Sequence, residues 1–246
     1  KEMAGTLTGW LDAAGALDDA ARGWTRFDLT VDRGTKKGPL PPSVRMSGEL
    51  HASVARLDIR RLAVESNMVA LQTRGRFWPQ RQEMDLALKL QAKRLRRFLL
   101  KLGKPPLLAA LNLAGRARGR VTNPAFNGNV QAYGVQSGPV RLRTVTAGLG
   151  LLDGTVAARD IRGRIFKGGL YGQARVGLYR GHVQRMRKEP LIWARGGVNR
   201  LDLEPASGGA VEALVNGSFA VRGTPSYLQG RVQAKSKILW AANQWY

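Results

Sequence analysis

The sequence predicts an all-β protein made of a repetitive antiparallel sheet. Three observations carry that expectation: apolar and polar side chains alternate at period 2 in many segments, glycine is abundant at 30 of 246 residues, and a glycine–proline beat recurs at a spacing of roughly a hundred residues. Successive side chains of a strand point to opposite faces, so such runs describe strands with one apolar and one polar side. The glycine excess suits many turns better than it suits a helix bundle.

The clearest run places Val44, Met46, Gly48, Leu50, Ala52 and Val54 between Arg45, Ser47, Glu49, His51 and Ser53. Its phase slips at Ala55 and Arg56 and resumes with Leu57 and Ile59, which is how a bulge or a tight bend looks in sequence. The alternation returns over Met84–Ala92, Val140–Arg143, Leu170–Leu178, Phe219–Arg222 and Val232–Lys235. Turns are expected at Asp153-Gly154 and at Lys167-Gly168-Gly169. Closely spaced strands with short turns make an antiparallel meander that is apolar on one side. The stretch from Trp10 to Trp24 fits either a helix or turn and strand, and the alignment of Gly15 and Gly23 with later glycines favours the second. Gly34–Pro42 reads as a linker, and Arg180–Pro190 as a polar interruption.

One segment breaks the rhythm. Leu95, Phe98, Leu99 and Leu102 fall at helical spacing among Arg94, Arg96, Arg97 and Lys101, and Gly103 with Pro105 is a helix stop. A short cationic amphipathic helix is expected near 93–103, either capping the sheet or touching a membrane surface. The apolar stretch from Leu107 to Leu113 is too short to cross a bilayer.

The glycine–proline beat runs from Gly119 through Pro124 and Gly128 to Ala132, and again from Gly217 through Pro225 and Gly230 to Ala234, with a fainter copy from Gly15 through Gly23 to Phe27. It divides the chain into modules at 1–112, 113–214 and 215–246, the last only begun. The chain is accordingly read as a piece of a longer protein whose targeting segment lies outside it.

In these repeats the sequence resembles the TamB and AsmA-like proteins of Gram-negative envelopes. The likeness rests on Leu113–Pro124, on the strand–turn unit Ile165–Leu178 and on the helix-like insertion at Arg94–Leu102 ahead of a new repeat. It implies a long antiparallel sheet curled into an open taco with an apolar inner groove. It also implies a periplasmic location, a full-length protein anchored in the inner membrane, and the carriage of phospholipid between inner and outer membranes. A second role implied is help in outer-membrane protein assembly with a barrel partner of the Omp85 type.

A sheet with one apolar face must cover it. A closed sandwich does so with its own side chains. A trough leaves room for acyl chains, each of which costs about 0.8 kcal/mol per methylene to expose to water. The residues expected to line such a trough are Val44, Met46, Leu50, Val54, Leu57 and Ile59 in the first module, and Val140, Leu142, Leu170, Ala174, Val176 and Leu178 in the second.

The formal charge is +23, from 40 Lys and Arg against 17 Asp and Glu. Such a surface attracts polyanions, whether nucleic acid or anionic headgroups. The charges alternate singly with apolar residues, and no RRM, KH or helix-turn-helix signature is recognisable, so no nucleic-acid partner is expected. The chain has no cysteine, which excludes disulfides and Cys-based zinc sites. His51 and His182 are its two histidines, and neither lies in a metal-spaced cluster. Asp85, Asp153, Asp160, Asp202 and Glu204 are dispersed, and there is no Gly-x-Ser-x-Gly elbow. The expectation is a carrier rather than an enzyme, with no cofactor; the alternatives are an assembly scaffold using its sheet edges and a basic nucleic-acid binder.

Overall fold

The computed structural model describes residues 5–15, 23–33, 43–95, 108–137, 140–180, 185–204 and 211–241. They form fourteen strands. The first seven are β1 (Gly5–Gly15), β2 (Gly23–Arg33), β3 (Ser43–Ala52), β4 (Leu57–Ser66), β5 (Val69–Trp78), β6 (Glu83–Ala92) and β7 (Ala110–Arg120). The remainder are β8 (Asn123–Ser137), β9 (Val140–Leu152), β10 (Thr155–Ile165), β11 (Gly168–Arg180), β12 (Arg185–Asp202), β13 (Val211–Thr224) and β14 (Tyr227–Ala241). They follow one another in chain order through a single antiparallel sheet that is not closed, with β1 and β14 as its edges. The chain divides into two compact units, Lys1–Gly128 and Asn129–Tyr246.

In the first unit the slip at Ala55 and Arg56 is a tight bend. The Ser53 amide donates to the Arg56 carbonyl at 2.8 Å and the Arg56 amide returns a bond to Ser53 at 3.3 Å, reversing the chain between β3 and β4. Val54 therefore sits on the bend, 63% exposed, and not on the strand with the residues it was grouped with. Gly75 has a φ of +145°, and a Cβ there would run into the carbonyl of Asp85 on β6. Only glycine lets the two backbones approach so closely.

In the second unit Asp153 and Gly154 form the expected hairpin turn, with φ of 47° and 68°. The next turn is shifted from its expected place. Phe166 and Lys167 make it, with φ of 42° and 62°, and Gly168 and Gly169 already belong to β11. Gly168 is needed for closeness, since a Cβ there would stand 2.7 Å from the Arg200 carbonyl. Pro124 lies within β8 and Pro225 at the β13–β14 turn, so the two matching prolines do different jobs. The polar interruption also differs: β11 continues to Arg180 and β12 starts at Arg185, and residues 181–184 lie outside the described set.

Several strands carry an extra residue. In β4, β10 and β12 two polar residues separate neighbours that face the same way: Ile59 and Leu62, Ala158 and Ile161, Val198 and Leu201. Each is a bulge, and Asp160 and Arg200 take left-handed φ of 49° and 53° to make it.

The linker Gly34–Pro42 lies outside the described residues, as does the helix expected near 93–103 from position 96 onward. Of its start, Arg94 is left-handed at φ 58°, and no helix is established among the described residues. None there is long and apolar enough to cross a membrane. The buried hydrophobic residues are alanines, Ala63, Ala92, Ala117, Ala147 and Ala213, and no large side chain among the described residues is fully buried. Small residues are hidden by their neighbours while large ones stay half-exposed.

Candidate functional site

Residues paired across antiparallel strands point to the same side, so the registers assign every paired side chain to a face. In the first unit one face is apolar from β1 to β7. Leu29 opposes Met46, Met46 opposes Val64, Leu50 opposes Ile59, Val64 opposes Leu71, Leu71 opposes Leu90 and Leu90 opposes Leu113. Val44, Met46, Leu50, Leu57 and Ile59 lie together on this face and are half-buried. Two phenylalanines cover glycines in it: the Phe27 ring would stand 2.7 Å from a Cβ on Gly48, and Phe126 covers Gly115 and Gly128. Rings laid over glycine in this way fill space the glycine leaves empty. Thr73, between Leu62 and Leu88, has a buried hydroxyl with no hydrogen-bond partner.

The second unit repeats the plan. Leu170 opposes Val198, Ala174 opposes Ala194 and Ala158, and Val176 opposes Ile192 and Val156, while Phe219 lies over Gly196. Leu178 follows on the same strand, its amide bonded to the Gly154 carbonyl at 2.8 Å. Leu142 stands on β9 at an even position, whereas the segment of β9 paired with β10 brings odd positions, Val145, Leu149 and Leu151, to the apolar face. Val140 is also on β9, and its side chain lies outside the described set.

Sequence reading missed Leu29, Leu62, Val64 and Leu71 as members of the first face. The signal was present as a pair of polar residues between two apolar ones, Arg60 and Arg61 between Ile59 and Leu62. Strict period 2 rejects that pattern, but a bulge restores it.

The opposite face is polar, and its charges are arranged differently in the two units. In the first, carboxylates and guanidiniums alternate across strands. Arg45 Nε donates to Asp28 Oδ1 at 2.8 Å. Arg116 Nη2 donates to Asp85 Oδ2 at 2.6 Å, with Arg118 Nε 3.3 Å from Asp85 Oδ1. Asp58 lies between Arg56 and Arg76 at 3.0 and 3.4 Å. Glu49 meets His51 at 3.1 Å and Arg26 at 3.5 Å. Hydrogen bonds from Arg45 and Arg116 hold the Asp28 and Asp85 carboxyls below the usual range, and the bond from His51 does the same to Glu49.

Among the described residues of the second unit the ion pairs gather at one hairpin. Lys167 Nζ reaches Asp202 at 2.9 Å and Glu204 at 3.7 Å, which lowers the Asp202 carboxyl and raises the Lys167 ammonium. Elsewhere on that face Arg175 and Arg195 lie over the Trp193 ring at 5.6 and 5.3 Å from its centroid. Among the described residues no group of three His, Asp or Glu is placed to hold a metal ion.

Comparison with known proteins found no matching family model, no matching curated protein and no matching solved structure.

Proposed function

We propose that this chain is a segment of a bridge-like lipid carrier, holding phospholipid acyl chains against the apolar face of each unit. The observation that carries this reading is that both faces are lined by large aliphatic side chains while none of these is fully buried among the described residues. In the first unit alone, the six intervals from β1 to β7 at about 4.8 Å each make an apolar width of roughly 30 Å. A sixteen-carbon tail laid on such a surface avoids roughly 12 kcal/mol of exposure to water.

Catalytic groups play no part in this reading. The likeness to the TamB and AsmA-like proteins adds the rest of the proposal: a sheet curled into an open groove, a periplasmic location, movement of lipid between two membranes and an Omp85-type barrel as partner.

The test is mass spectrometry of lipids recovered with the purified protein. Recovery is expected from the natural sequence. It should be lost in Leu50→Glu and Val176→Glu, and retained in Gln72→Glu on the polar face, with circular dichroism showing strand content unchanged in all three. A folded protein that carries no lipid and takes none from labelled vesicles overturns the proposal. If that protein instead captures unfolded outer-membrane clients, it belongs with assembly scaffolds.

A further inference from the structure

The polar face of the second unit holds a depression of about 560 Å³ bordered by Arg162, Arg195 and Arg231. Its shape follows from register. One cross-strand row runs Arg162, Tyr171, Gly197, Ser218, Gln233, and the next runs Gln173, Arg195, Ala220, Arg231. Ser218 and Ala220, with the backbone of Gly172 and Gly196, form the floor, and the long polar side chains on either side form the walls.

One of the three guanidiniums, that of Arg195, is held in place. With its amide oxygen turned toward Arg195, Gln173 accepts from Nε at 2.5 Å and from an Nη at 2.6 Å. Arg195 also stacks on Trp193. Arg162 and Arg231 have no carboxylate partner among the described residues, and Asp160 is the single acid on the border. A depression of about 520 Å³ on the polar face of the first unit serves as an internal control. It too is arginine-rich, but Asp58 and Asp85 lie within it and engage Arg56, Arg76 and Arg116.

We propose that the depression between Arg162, Arg195 and Arg231 is a binding site for a phosphate ester. Three forked guanidiniums border one depression, and guanidinium binds phosphate through paired, charge-assisted hydrogen bonds. The amide of Gln233 and the hydroxyl of Tyr171 add donors on the first row. This site lies on the face opposite the apolar one, so it stands independently of the lipid-groove reading.

The experiment uses the full chain and three probes: glycerol 3-phosphate, phosphatidylcholine vesicles with and without phosphatidylglycerol, and a twenty-nucleotide single strand. Binding is expected to glycerol 3-phosphate or to the vesicles containing phosphatidylglycerol. The first outcome identifies a soluble ester as the ligand, the second a lipid headgroup. Arg162→Gln, Arg195→Gln and Arg231→Gln should each weaken that binding about fivefold, the size expected of one basic side chain at an anionic surface. Arg74→Gln removes the same charge from the first unit and should leave binding unchanged.

Equal weakening by Arg74→Gln overturns the site, because net charge alone would then explain the binding. Tighter binding of the oligonucleotide than of either phosphate probe, or no binding of those two probes, overturns it as well.

Discussion

The two units carry almost the same excess of positive charge and arrange it in opposite ways. Residues 1–128 hold 23 Lys and Arg against 11 Asp and Glu, net +12, and residues 129–246 hold 17 against 6, net +11. In the first unit the acids pair with arginines on neighbouring strands, as Asp28 does with Arg45 and Asp85 with Arg116. In the second, Arg162, Arg195, Arg222 and Arg231 share one face without carboxylate partners among the described residues. Net charge thus predicts little about a surface. The same excess serves as a self-neutralising lattice in one place and as open donor capacity in another.

The strongest blow to the comparison would fall on the backbone that aligns the lattice. Gly75 lets β5 lie against the backbone of Asp85 on β6, whose carboxyl Arg116 and Arg118 on β7 engage, so a Cβ there would push that carboxyl off its partners. Gly223 has the same geometry in the second unit, with φ of +141° and the Tyr227 carbonyl where a Cβ would sit, but among the described residues it aligns no ion pair. Gly75→Ala should cost roughly 2–4 kcal/mol, from a residue forced into a glycine-only conformation and a backbone clash. In urea titrations both substitutions should destabilise. Only Gly75→Ala should also raise the Asp85 pKa toward its ordinary value, read by NMR. If Gly75→Ala leaves that pKa in place, the lattice does not depend on this register.

Much of the fold was legible because strands announce themselves by parity. Val44 to Leu50 and Leu170 to Val176 could be placed on faces from alternation alone, and Asp153-Gly154 named its own turn. What stayed hidden depends on partners distant in sequence. Parity resets at Arg60-Arg61, Arg159-Asp160 and Asn199-Arg200 only because the neighbouring strands keep their register there. The turn at Phe166-Lys167 carries no glycine; it is selected by the close approach of Gly168 to Arg200 and by Lys167 reaching Asp202. The phosphate-ester site was not legible for the same reason. Arg162, Arg195 and Arg231 are far apart in the chain, and only the strand order brings them to one rim.

A smaller effect should appear on acidification. Asp28, Glu49 and Asp85 have folded-state pKa values below their unfolded ones, so each contributes stability above the ordinary carboxylate range near pH 4. That contribution falls as pH drops through the lowered values and the pairs are protonated. The second unit has two such groups among its described residues, Asp202 and Glu189, the latter lowered by a hydrogen bond from Ser226. Hydrogen exchange between pH 5 and pH 3, corrected for intrinsic rates, should show protection falling first in β2–β7, then near Asp202, and last at the centre of β10 and β11. Uniform loss across both units would contradict a charge lattice confined to the first.

The smallest expected effect separates the two surfaces most cleanly. Asp85→Asn leaves Arg116 and Arg118 facing each other without their shared anion. Because the pair is partly exposed, the loss should be about 0.5–1 kcal/mol at low ionic strength and should shrink as salt screens it. Arg231→Gln, at an exposed position on β14, removes a charge from a row that has no anion to lose. It should leave stability unchanged within about 0.5 kcal/mol, with any shift at low salt toward greater stability as repulsion is relieved. The two variants therefore move in different directions under one buffer series, although each alters a single charge. If Arg231→Gln destabilises as much as Asp85→Asn, its guanidinium is bound within the folded protein, and the donor capacity assigned to the second unit is already filled.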